Sequence, residues 1–444
     1  MTLSTPEKIR TLQRKLYCKA KSEPSFRFYA LYDKVFRMDI LDHAYHLVRS
    51  NKGAPGIDGV SFASIEAGSG KEQFLQKLQD ELESKSYRTQ AVRRVWIPKP
   101  DGSKRPLGIP TIRDRVVQMA AKLIIEPIFE ADFCDTSYGF RPKRSAHDAA
   151  DAIADGLLRR HGHVIDADLS KYFDTIPHAK LLAVVAERIS DGGILWLIKQ
   201  WLKAAVVEDG EDGKRRTIGG GKGNRLGTPQ GGVISPLLAN LYLHLLDRIW
   251  ERYDLAKRYG AQIVRYADDL VILCVGDISQ PMSVLRYVLD LLDLQLNETK
   301  TSIVNAYKES FDFLGFSFCL RRSRNSGKLY PHVEPSAKSV KRVKDRVKIL
   351  TDRKRTSIPL PDLVAEVNMS LRGWSSYFHY RNSTKVFGNV KWHVEERMRT
   401  HLRRRFKIYS RAQAYHRLPT SKLYNGYGLF KLPTTAGWRK THAL

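Results

Sequence analysis

The chain has 444 residues, 42% of them apolar, which is enough for about three domains and excludes a globally disordered protein. Its 75 Lys and Arg residues against 47 Asp and Glu residues give a net charge of +28, which favours a polyanionic partner such as nucleic acid over the alternative of a basic protein with evenly spread charge. The polar start MTLSTPEKIR is unlike a secretory signal, no apolar run approaches the roughly 20 residues of a membrane span, and the four cysteines lack Cys-x-x-Cys spacing, so a reducing cytosol is expected.

The first half of the chain alternates between helical and extended patterns. Residues 1–50 are predicted to be helical, and a glycine-rich elbow, NKGAPGIDGV, follows at Asn51–Val60. The stretch Val92–Pro110 alternates apolar and polar residues and turns at Pro100-Asp101-Gly102, which predicts a hairpin with a basic tip. The other predicted elements of this half are helices at 71–86, 113–130 and 184–206, a strand at 163–169 with a helix from about Ser170, and a polar loop or hairpin near 208–224.

Two strands and a helical region follow. Ile263–Tyr266 and Leu270–Val275 are predicted strands, and with the earlier elements they indicate an α+β sheet domain over about 90–320. After about residue 333, apolar residues recur at helical spacing with lysines on an adjacent face, which predicts an all-helical basic domain. The first apolar stripe is Val340, Val343, Val347 and Leu350, and the second is Leu360, Val364, Val367, Leu371 and Trp374.

Two acidic motifs lie beside or within apolar strands. VRYADDLVIL, residues 264–273, places Asp268 and Asp269 between two apolar runs. DADLSKYFD, residues 166–174, places Asp166 and Asp168 on one face of a strand. Asp is common in hairpin turns for local hydrogen-bonding reasons, so the first pair alone favours a plain turn. Together the motifs predict that Asp168 meets the other pair if the two strands are neighbours.

Three ionised carboxylates in one dry site need a counter-charge. Two Mg²⁺ ions would supply it, because Mg²⁺ prefers hard oxygen ligands and keeps substrate phosphates in its shell. Two such ions, roughly 3.5–4 Å apart, activate an attacking 3′-oxygen and stabilise a leaving pyrophosphate. The sequence therefore predicts nucleotidyl transfer with two Mg²⁺ ions, for which Mn²⁺ is a candidate substitute.

Two further elements suit a triphosphate. Lys99, Lys104 and Arg105 flank the Pro-Asp-Gly turn, where a basic tip can neutralise phosphates, although a solvated turn is the usual alternative. Residues 227–232, GTPQGG, allow the backbone to approach a ligand closely. Taken alone, that segment is better interpreted as a loop before a helix.

Six stretches of this sequence resemble, in order and spacing, those of reverse transcriptases encoded by bacterial group II introns. They are IPKPDGSKRPLGIPTIRDR (97–115), SYGFRPKRSAHDA (137–149), DADLSKYFD (166–174), GTPQGGVISPLLANLYL (227–243), YADD (266–269) and FLGFSF (313–318). The resemblance extends over residues 50–410 and implies a right-hand polymerase of α+β class. The implied domains are an N-terminal extension that helps hold template RNA (1–60), fingers with part of the palm (61–165), a palm with an antiparallel sheet (166–325), a helical thumb or maturase domain (326–410) and a short basic C-terminal tail (411–444).

The resemblance also implies roles for individual residues. Asp168, Asp268 and Asp269 match the catalytic metal-binding triad, and Leu169 would add a backbone carbonyl to a metal. The residues that match nucleotide-binding positions are Lys99, Arg105, Leu169, Phe173 and Gln230. The residues that match the primer grip or the template and primer path are Arg141, Leu314, Gly315, Phe316 and Lys300. Asn297 lies in the same motif, LNETKT, as Lys300. For Phe173 and the alternating Phe313, Phe316 and Phe318, a core position is the alternative.

The stretch GWSSYFHYRNSTKVF, residues 373–387, resembles the thumb or maturase region that binds intron RNA in this family. Tyr377 or Tyr380 would stack on bases, whereas helix packing is favoured for Trp374. The thumb residues expected to contact RNA phosphates are Lys341, Lys344, Lys348, Arg372 and Arg381.

The implied activity is RNA-directed DNA synthesis from a primer 3′-OH, together with assistance to intron splicing and mobility. The expected partners are group II intron RNA, an RNA template with a DNA or RNA primer, target DNA and dNTPs, in the bacterial cytosol or nucleoid and without a membrane. The tail YNGYGLFKLP and the lack of paired cysteines resemble members without an endonuclease, so nicking of the target strand is not expected. The alternatives are a related enzyme recruited to host defence or DNA repair, and a non-catalytic RNA-binding splicing cofactor, against which the three intact acidic residues argue.

Overall fold

The computed structural model describes residues 4–68, 70–98, 102, 104–210 and 214–437. The chain divides into two compact units. The first unit comprises Met1–Ala149, Ala167–Ile272 and Ile278–Ser302, and the second comprises Ala150–Asp166, Leu273–Asp277 and Ile303–Leu444. The family resemblance implies five domains that are defined by their functions and not by compactness, and this division stays a prediction.

Thirteen helices are described as far as residue 302. They are α1 (Glu7–Ser22), α2 (Tyr32–Val35), α3 (Met38–Ser50), α4 (Phe62–Ala67), α5 (Gly70–Glu83), α6 (Ile112–Glu130), α7 (Ala146–Leu158), α8 (Tyr172–Thr175), α9 (His178–Arg188), α10 (Gly192–Leu202), α11 (Ser235–Arg252), α12 (Leu255–Arg258) and α13 (Ser279–Leu291). Helix α6 lies at the centre of the first unit, where it packs against α1, α2, α3 and α11. Thr111 begins α6 by accepting a hydrogen bond from the Asp114 amide, as expected of an N-cap residue.

The single helix predicted over 184–206 is wrong, because two helices occupy this stretch. Helix α9 ends at Arg188, and α10 begins at Gly192 after the N-cap residue Asp191. The Asp191 carboxylate accepts hydrogen bonds from the amides of Gly193 and Ile194, which satisfies two of the free N–H groups of the new helix. Helix α10 ends at Leu202, and a strand begins at Val206.

One four-stranded sheet carries the predicted finger hairpin. Its strands are β1 (Val92–Pro98), β2 (Lys104–Ile109), β4 (Val206–Asp209) and β5 (Arg215–Gly219), in the order β2-β1-β4-β5. Strands β1 and β2 pair antiparallel from Arg93↔Ile109 to Pro98↔Lys104, which confirms the hairpin, although Lys99 and most of its tip lie outside the described residues. The segment predicted as a loop or hairpin near 208–224 forms the antiparallel β4–β5 pair.

A second four-stranded sheet contains both acidic motifs. Its strands are β3 (His163–Ala167), β6 (Ala261–Tyr266), β7 (Asp269–Cys274) and β8 (Ser302–Asn305), in the order β6-β7-β3-β8. Leu270–Cys274 are all buried, so both faces of β7 are covered, as expected for a continuous apolar run. The strands predicted at 163–169, 263–266 and 270–275 are therefore confirmed to within two residues at their ends.

The second unit continues with a small sheet and a helical bundle. Strands β9 (Phe311–Phe313), β10 (Phe316–Arg322) and β11 (Leu329–Pro335) form the sheet in the order β11-β10-β9. The bundle consists of α14 (Ala337–Leu350), α15 (Leu360–Phe378), α16 (Thr384–Arg405) and α17 (Arg411–Arg417), with a 3₁₀ turn at Arg353–Arg355 and a π-helical turn at Lys422–Gly426. Both predicted apolar stripes line one core, with Val340, Leu360 and Trp374 at its partly buried edge.

The residues after 410 are part of this helical core. Leu418, Leu423, Leu429 and Leu432 are each at most 4% exposed and pack in the same cluster as Val347 and Leu371. The Asn368 side chain, which donates to the Gly428 carbonyl and accepts from the Phe430 amide, holds the last segment against α15. Within the described residues, each helix is too short or too polar to cross a bilayer.

Candidate active site

The turn between β6 and β7 carries the two adjacent carboxylates. Ala267 and Asp268 form the turn, and Asp269 begins β7. Ala267 adopts φ = 59°, a left-handed conformation that costs a residue with a Cβ roughly 1–2 kcal/mol. A two-residue hairpin turn with positive φ at its first position matches the right-handed twist of the strands that it joins. The backbone of this turn is therefore held in a conformation that the sequence does not favour locally.

Asp168 lies directly after β3, which is the sheet neighbour of β7. Burial raises the pKa of Asp269 to about 6, and repulsion from the Asp268 and Asp168 carboxylates adds to that shift. Burial also raises the pKa of Asp268, with a further contribution from Asp168. The three predicted aspartates are thus close enough to repel one another, although 100 residues separate Asp168 from Asp268.

A turn after α13 supports Asp168 from behind. The Asn297 amide donates to the Asp168 carbonyl at 2.8 Å, and the Asp168 amide donates to Thr301 Oγ1 at 3.4 Å. Lys300 Nζ lies 3.3 Å from Asp168 Oδ2 in an exposed ion pair. The LNETKT motif therefore fixes the backbone around Asp168 and brings one cation to its carboxylate.

The chemistry of these donors fits a hard divalent cation. Carboxylate oxygens are the ligands that Mg²⁺ prefers, and bound cations would relieve the repulsion that raises the pKa values of Asp268 and Asp269. The side chains do not form a closed cage, because among the described residues no group of three or more His, Cys, Asp and Glu side chains is arranged to hold a metal ion. Lys300 and Arg105 supply part of the compensating positive charge to Asp269.

Two of the predicted nucleotide-binding residues touch each other. The Arg105 Nε donates to the Gln230 Oε1 at 3.1 Å, and the Gln230 Nε2 lies 3.5 Å from Asp174 Oδ2. The Gly108 amide also donates to the Gln230 carbonyl, which ties the GTPQGG loop to β2. A cavity of about 150 Å³ lies beside them and is lined in part by Arg94, Asp174 and Gln230. Lys99, the other predicted finger residue, lies outside the described residues.

Phe173 and Gly227 lie where this loop meets α8. Phe173 is 9% exposed, and its carbonyl accepts a hydrogen bond from the Thr228 amide at 2.7 Å. Gly227 has φ = 83°, and a Cβ there would lie 2.9 Å from the Asp174 carbonyl oxygen, so only glycine fits without strain. The low exposure of Phe173 is what its core alternative requires, and its contact with a sugar stays a prediction.

The Arg141 guanidinium is paired inside the first unit rather than free. It is buried and forms an ion pair with Glu130 at 2.8 Å. It also donates to the carbonyls of Cys134 and Ser137 at 2.6 and 2.7 Å. These contacts favour a structural role, in which Arg141 holds the loop that precedes α7, and its contact with template stays a prediction.

In the second unit, the predicted primer grip forms a tight turn. Leu314 and Gly315 have φ values of 50° and 82° between β9 and β10. The Leu314 carbonyl accepts from the Tyr377 hydroxyl, and the Gly315 carbonyl accepts from Ser339 Oγ, both at 2.9 Å. Phe316 is fully buried and packs against the rings of three aromatic residues, so its ring belongs to the core. These residues are Tyr377, Phe378 and Tyr380.

The predicted RNA-binding residues of the helical bundle differ in exposure. Lys341 and Lys348 are exposed on α14, whereas Lys344 donates to Asn389. Arg372 is exposed and lies 4.7 Å from the Phe430 ring. Arg381 donates to Asp151 at 2.6 Å, and Tyr380 is 2% exposed and donates to the same carboxylate. Base stacking by Tyr380 is therefore wrong for this conformation, because its ring is in the core.

Sequence reasoning missed a charged pair beneath the acidic turn. Arg265 and Asp247 are both fully buried and form an ion pair. The signal was present, because Arg265 is the one charged residue in the apolar strand AQIVRY, and a buried charge requires a partner. The sequence does not identify this partner, because Asp247 lies on a different element, α11, and only the tertiary structure brings it to Arg265.

Residues 97–318, which contain all three aspartates, match the family model described as reverse transcriptase (RNA-dependent DNA polymerase). The chain belongs to the reverse transcriptase family. Residues 340–418 match the group II intron, maturase-specific domain. This reverse transcriptase therefore has a right-hand polymerase fold of α+β class, as predicted.

Several curated proteins are similar to this reverse transcriptase. Protein YkfC of Escherichia coli (strain K12) is 37% identical over 353 residues, which cover 71% of this chain and 90% of YkfC. The group II intron-encoded protein LtrA of Lactococcus lactis subsp. cremoris is 38% identical over 225 residues, or 50% of this chain and 35% of LtrA. Nuclear intron maturase 4, mitochondrial, of Arabidopsis thaliana is 28% identical over 237 residues, or 53% of this chain and 27% of that protein.

The two matched domains define the general activity. The reverse transcriptase is an RNA-directed DNA polymerase, and its maturase domain has a role in the splicing and mobility of a group II intron. The maturase domain implies intron RNA as a partner, and the polymerase domain implies a template and nucleotides. Polymerases of this family use divalent metal ions.

Proposed function

We propose that Asp168, Asp268 and Asp269 form the catalytic centre of the reverse transcriptase and hold two Mg²⁺ ions. The observation that carries this proposal is the placement of the three aspartates on neighbouring strands of one sheet, because Asp168 directly follows β3 and the Asp268–Asp269 pair lies at the start of β7. When bound, the ions would activate the primer 3′-oxygen and stabilise the leaving pyrophosphate, and Mn²⁺ would serve as a substitute. The Leu169 carbonyl would add an oxygen ligand beside Asp168.

The nucleotide would lie between the finger hairpin and the GTPQGG loop. Arg105 is exposed beside Gln230 and its positive charge favours the ionised forms of Asp268 and Asp269, so it is placed to bind the triphosphate of a dNTP next to the carboxylates. Lys99 would assist in binding the triphosphate. Gln230 would orient the nucleotide, and Phe173 would lie under the sugar.

Lys300 would exchange partners during this reaction. Its ammonium group pairs with Asp168 in the absence of metal. A cation bound by Asp168 would repel that ammonium group and release it toward a nearby phosphate of the primer or nucleotide. The turn at Leu314-Gly315-Phe316 would contact the primer backbone, and the loop held by Arg141 would follow the template.

The helical bundle would bind intron RNA and the template–primer duplex through its cationic surface. Lys341, Lys348 and Arg372 are exposed and suited to phosphate contacts, while Lys344 and Arg381 would first have to leave the partners that they have here. The primer would be DNA or RNA, and intron mobility would bring target DNA to the protein. We place the reverse transcriptase in the bacterial cytosol or nucleoid, where its four free cysteines stay reduced.

The test of the catalytic centre is primer extension on an RNA template with Mg²⁺ and dNTPs. Asp268→Asn and Asp269→Asn should each lower the rate by at least 10³-fold, because they remove ligand charge, while intron RNA binding measured by filter retention stays within threefold. Asp290→Asn, a change to an exposed carboxylate on α13, is the matched control and should leave the rate unchanged. Undiminished extension by both site variants would refute the assignment.

A further inference from the structure

The acidic turn rests on a fully buried arginine. All five N–H donors of the Arg265 guanidinium have an acceptor in the first unit, and both side chains of its ion pair with Asp247 are 0% exposed. Nε donates to Asp247 Oδ1 at 3.0 Å, and Nη2 donates to Asp247 Oδ2 and, at 2.7 Å, to Ser137 Oγ. Nη1 donates to Asn240 Oδ1 at 2.9 Å and to the Ala267 carbonyl at 3.0 Å.

The last of these bonds reaches the turn itself. The Ala267 carbonyl belongs to the left-handed residue that directly precedes Asp268. The guanidinium has a rigid fork geometry, and Asp247 and Asn240 of α11 hold its other donors, which fixes the direction of the bond to this carbonyl. The conformation of the turn is therefore tied to α11 through one side chain.

The segment 137–139 closes the other side of this arrangement. The Tyr138 amide donates to the Arg265 carbonyl at 2.8 Å, and Asn240 Nδ2 donates to the Gly139 carbonyl at 2.6 Å. A Cβ at Gly139 would lie 2.4 Å from the Ala267 amide nitrogen, so the two backbones touch. The turn has no room to relax in this direction.

We propose that Arg265, held by Asp247, Asn240 and Ser137, is a positioning residue that fixes the Ala267–Asp269 turn for catalysis. The inference rests on the proposed role of Asp268 and Asp269. Its alternative is a buried ion pair that affects only folding stability, which is a common property of such pairs. The two differ in their consequences, since loss of positioning lowers the rate per folded molecule and mobilises the turn, whereas loss of stability alone does neither.

The experiment compares Arg265→Lys with Arg188→Lys in the full chain. Arg188 is a suitable control because it is also a buried arginine of the first unit, paired with Asp132 and with backbone carbonyls near residues 20–26. Each variant is assayed for kcat per active site and for the KM of dTTP on a poly(rA) template with an oligo(dT) primer. Hydrogen–deuterium exchange of the peptide covering 261–274 and the thermal midpoint are measured in parallel.

For Arg265→Lys we expect a kcat at least tenfold lower, a dTTP KM within twofold of the unmodified chain, and at least tenfold faster exchange in the turn peptide. Arg188→Lys should lower the thermal midpoint at least as much, with kcat and exchange in that peptide within twofold. A kcat for Arg265→Lys that matches the control would overturn the inference. Should Arg265→Lys not fold, Ser137→Ala removes a single acceptor, and an unchanged kcat in that variant would overturn it equally.

Asp269→Asn in the same assay separates this inference from the proposed function. If Asp269→Asn stays active, the catalytic assignment fails and the inference fails with it. If Asp269→Asn is inactive while Arg265→Lys is as active as Arg188→Lys, the assignment stands, and only the positioning role of Arg265 is refuted.

Discussion

Asp269→Asn should stabilise the metal-free protein while it abolishes synthesis. A carboxyl pKa of about 6 in place of 3.8 corresponds to about 3 kcal/mol against the ionised form at neutral pH. The Asp269 side chain is exposed on one side, so solvent screening reduces this penalty to about 1 kcal/mol. An amide cannot ionise, and we expect the thermal midpoint of the variant to rise by about 2 °C at pH 7.5 with EDTA present.

The pH dependence of this gain has a definite sign. Because folding raises the pKa of Asp269, the unfolded chain loses its proton first, and the native state loses stability as the pH rises from 3.8 to 6. The advantage of Asp269→Asn should therefore be complete above pH 6, about half as large at pH 5, and absent below pH 3.8. Differential scanning calorimetry of both proteins across this range measures it.

Divalent metal provides the second arm of this test. Mg²⁺ should raise the thermal midpoint of the unmodified chain, because it binds the folded carboxylates, and should raise that of Asp269→Asn less. Asp290→Asn, the exposed control, should respond to Mg²⁺ as the unmodified chain does. A midpoint several degrees lower for Asp269→Asn at pH 7.5, or an equal response of both proteins to Mg²⁺, would refute the reasoning.

Three further predictions concern packing and hydrogen bonds. Leu423→Ala should cost about 2–5 kcal/mol of unfolding free energy in urea denaturation, because Leu423 is fully buried in the helical core, and a loss below 1 kcal/mol would contradict that placement. Gly227→Ala should raise the KM for dNTP more than it lowers kcat in primer extension, since its Cβ would press on the Asp174 carbonyl beside Gln230, and an unchanged KM would count against the loop's role. Tyr87→Phe should cost about 1–2 kcal/mol in the same denaturation assay, because the Tyr87 hydroxyl donates to buried Asp114 at 2.6 Å, and a neutral effect would show that water replaces it.

The elements of this fold that follow local patterns could be predicted from the sequence. The stripe from Val343 to Leu350 has helical periodicity, and the apolar run of β7 is short and bounded by polar residues, so each could be predicted from its local pattern. The break between α9 and α10 has a local signal, because Asp191 is a typical N-cap residue and two glycines follow it. The prediction missed this break because apolar residues continue on both sides of it. Periodicity says which face is buried and not where a helix must stop.

The pairing of buried charges could not be predicted. Arg141 and Arg381 have the composition of RNA-contacting residues, yet their carboxylate partners, Glu130 and Asp151, lie 11 and 230 residues away in the chain. Arg265 meets Asp247 only because α11 passes beneath the strand. Such contacts depend on tertiary structure, and a single sequence carries no local signal for them.

The burial of Leu429 and Leu432 in the helical core has a consequence for biosynthesis. The bundle can therefore complete its packing only after residue 432 has been synthesised. A polypeptide cut short by a stop codon at position 420 would lack Leu423, Leu429 and Leu432, leave part of this core uncovered and become a substrate for cellular proteases. Translation through residue 432 is thereby a condition for a stable helical bundle.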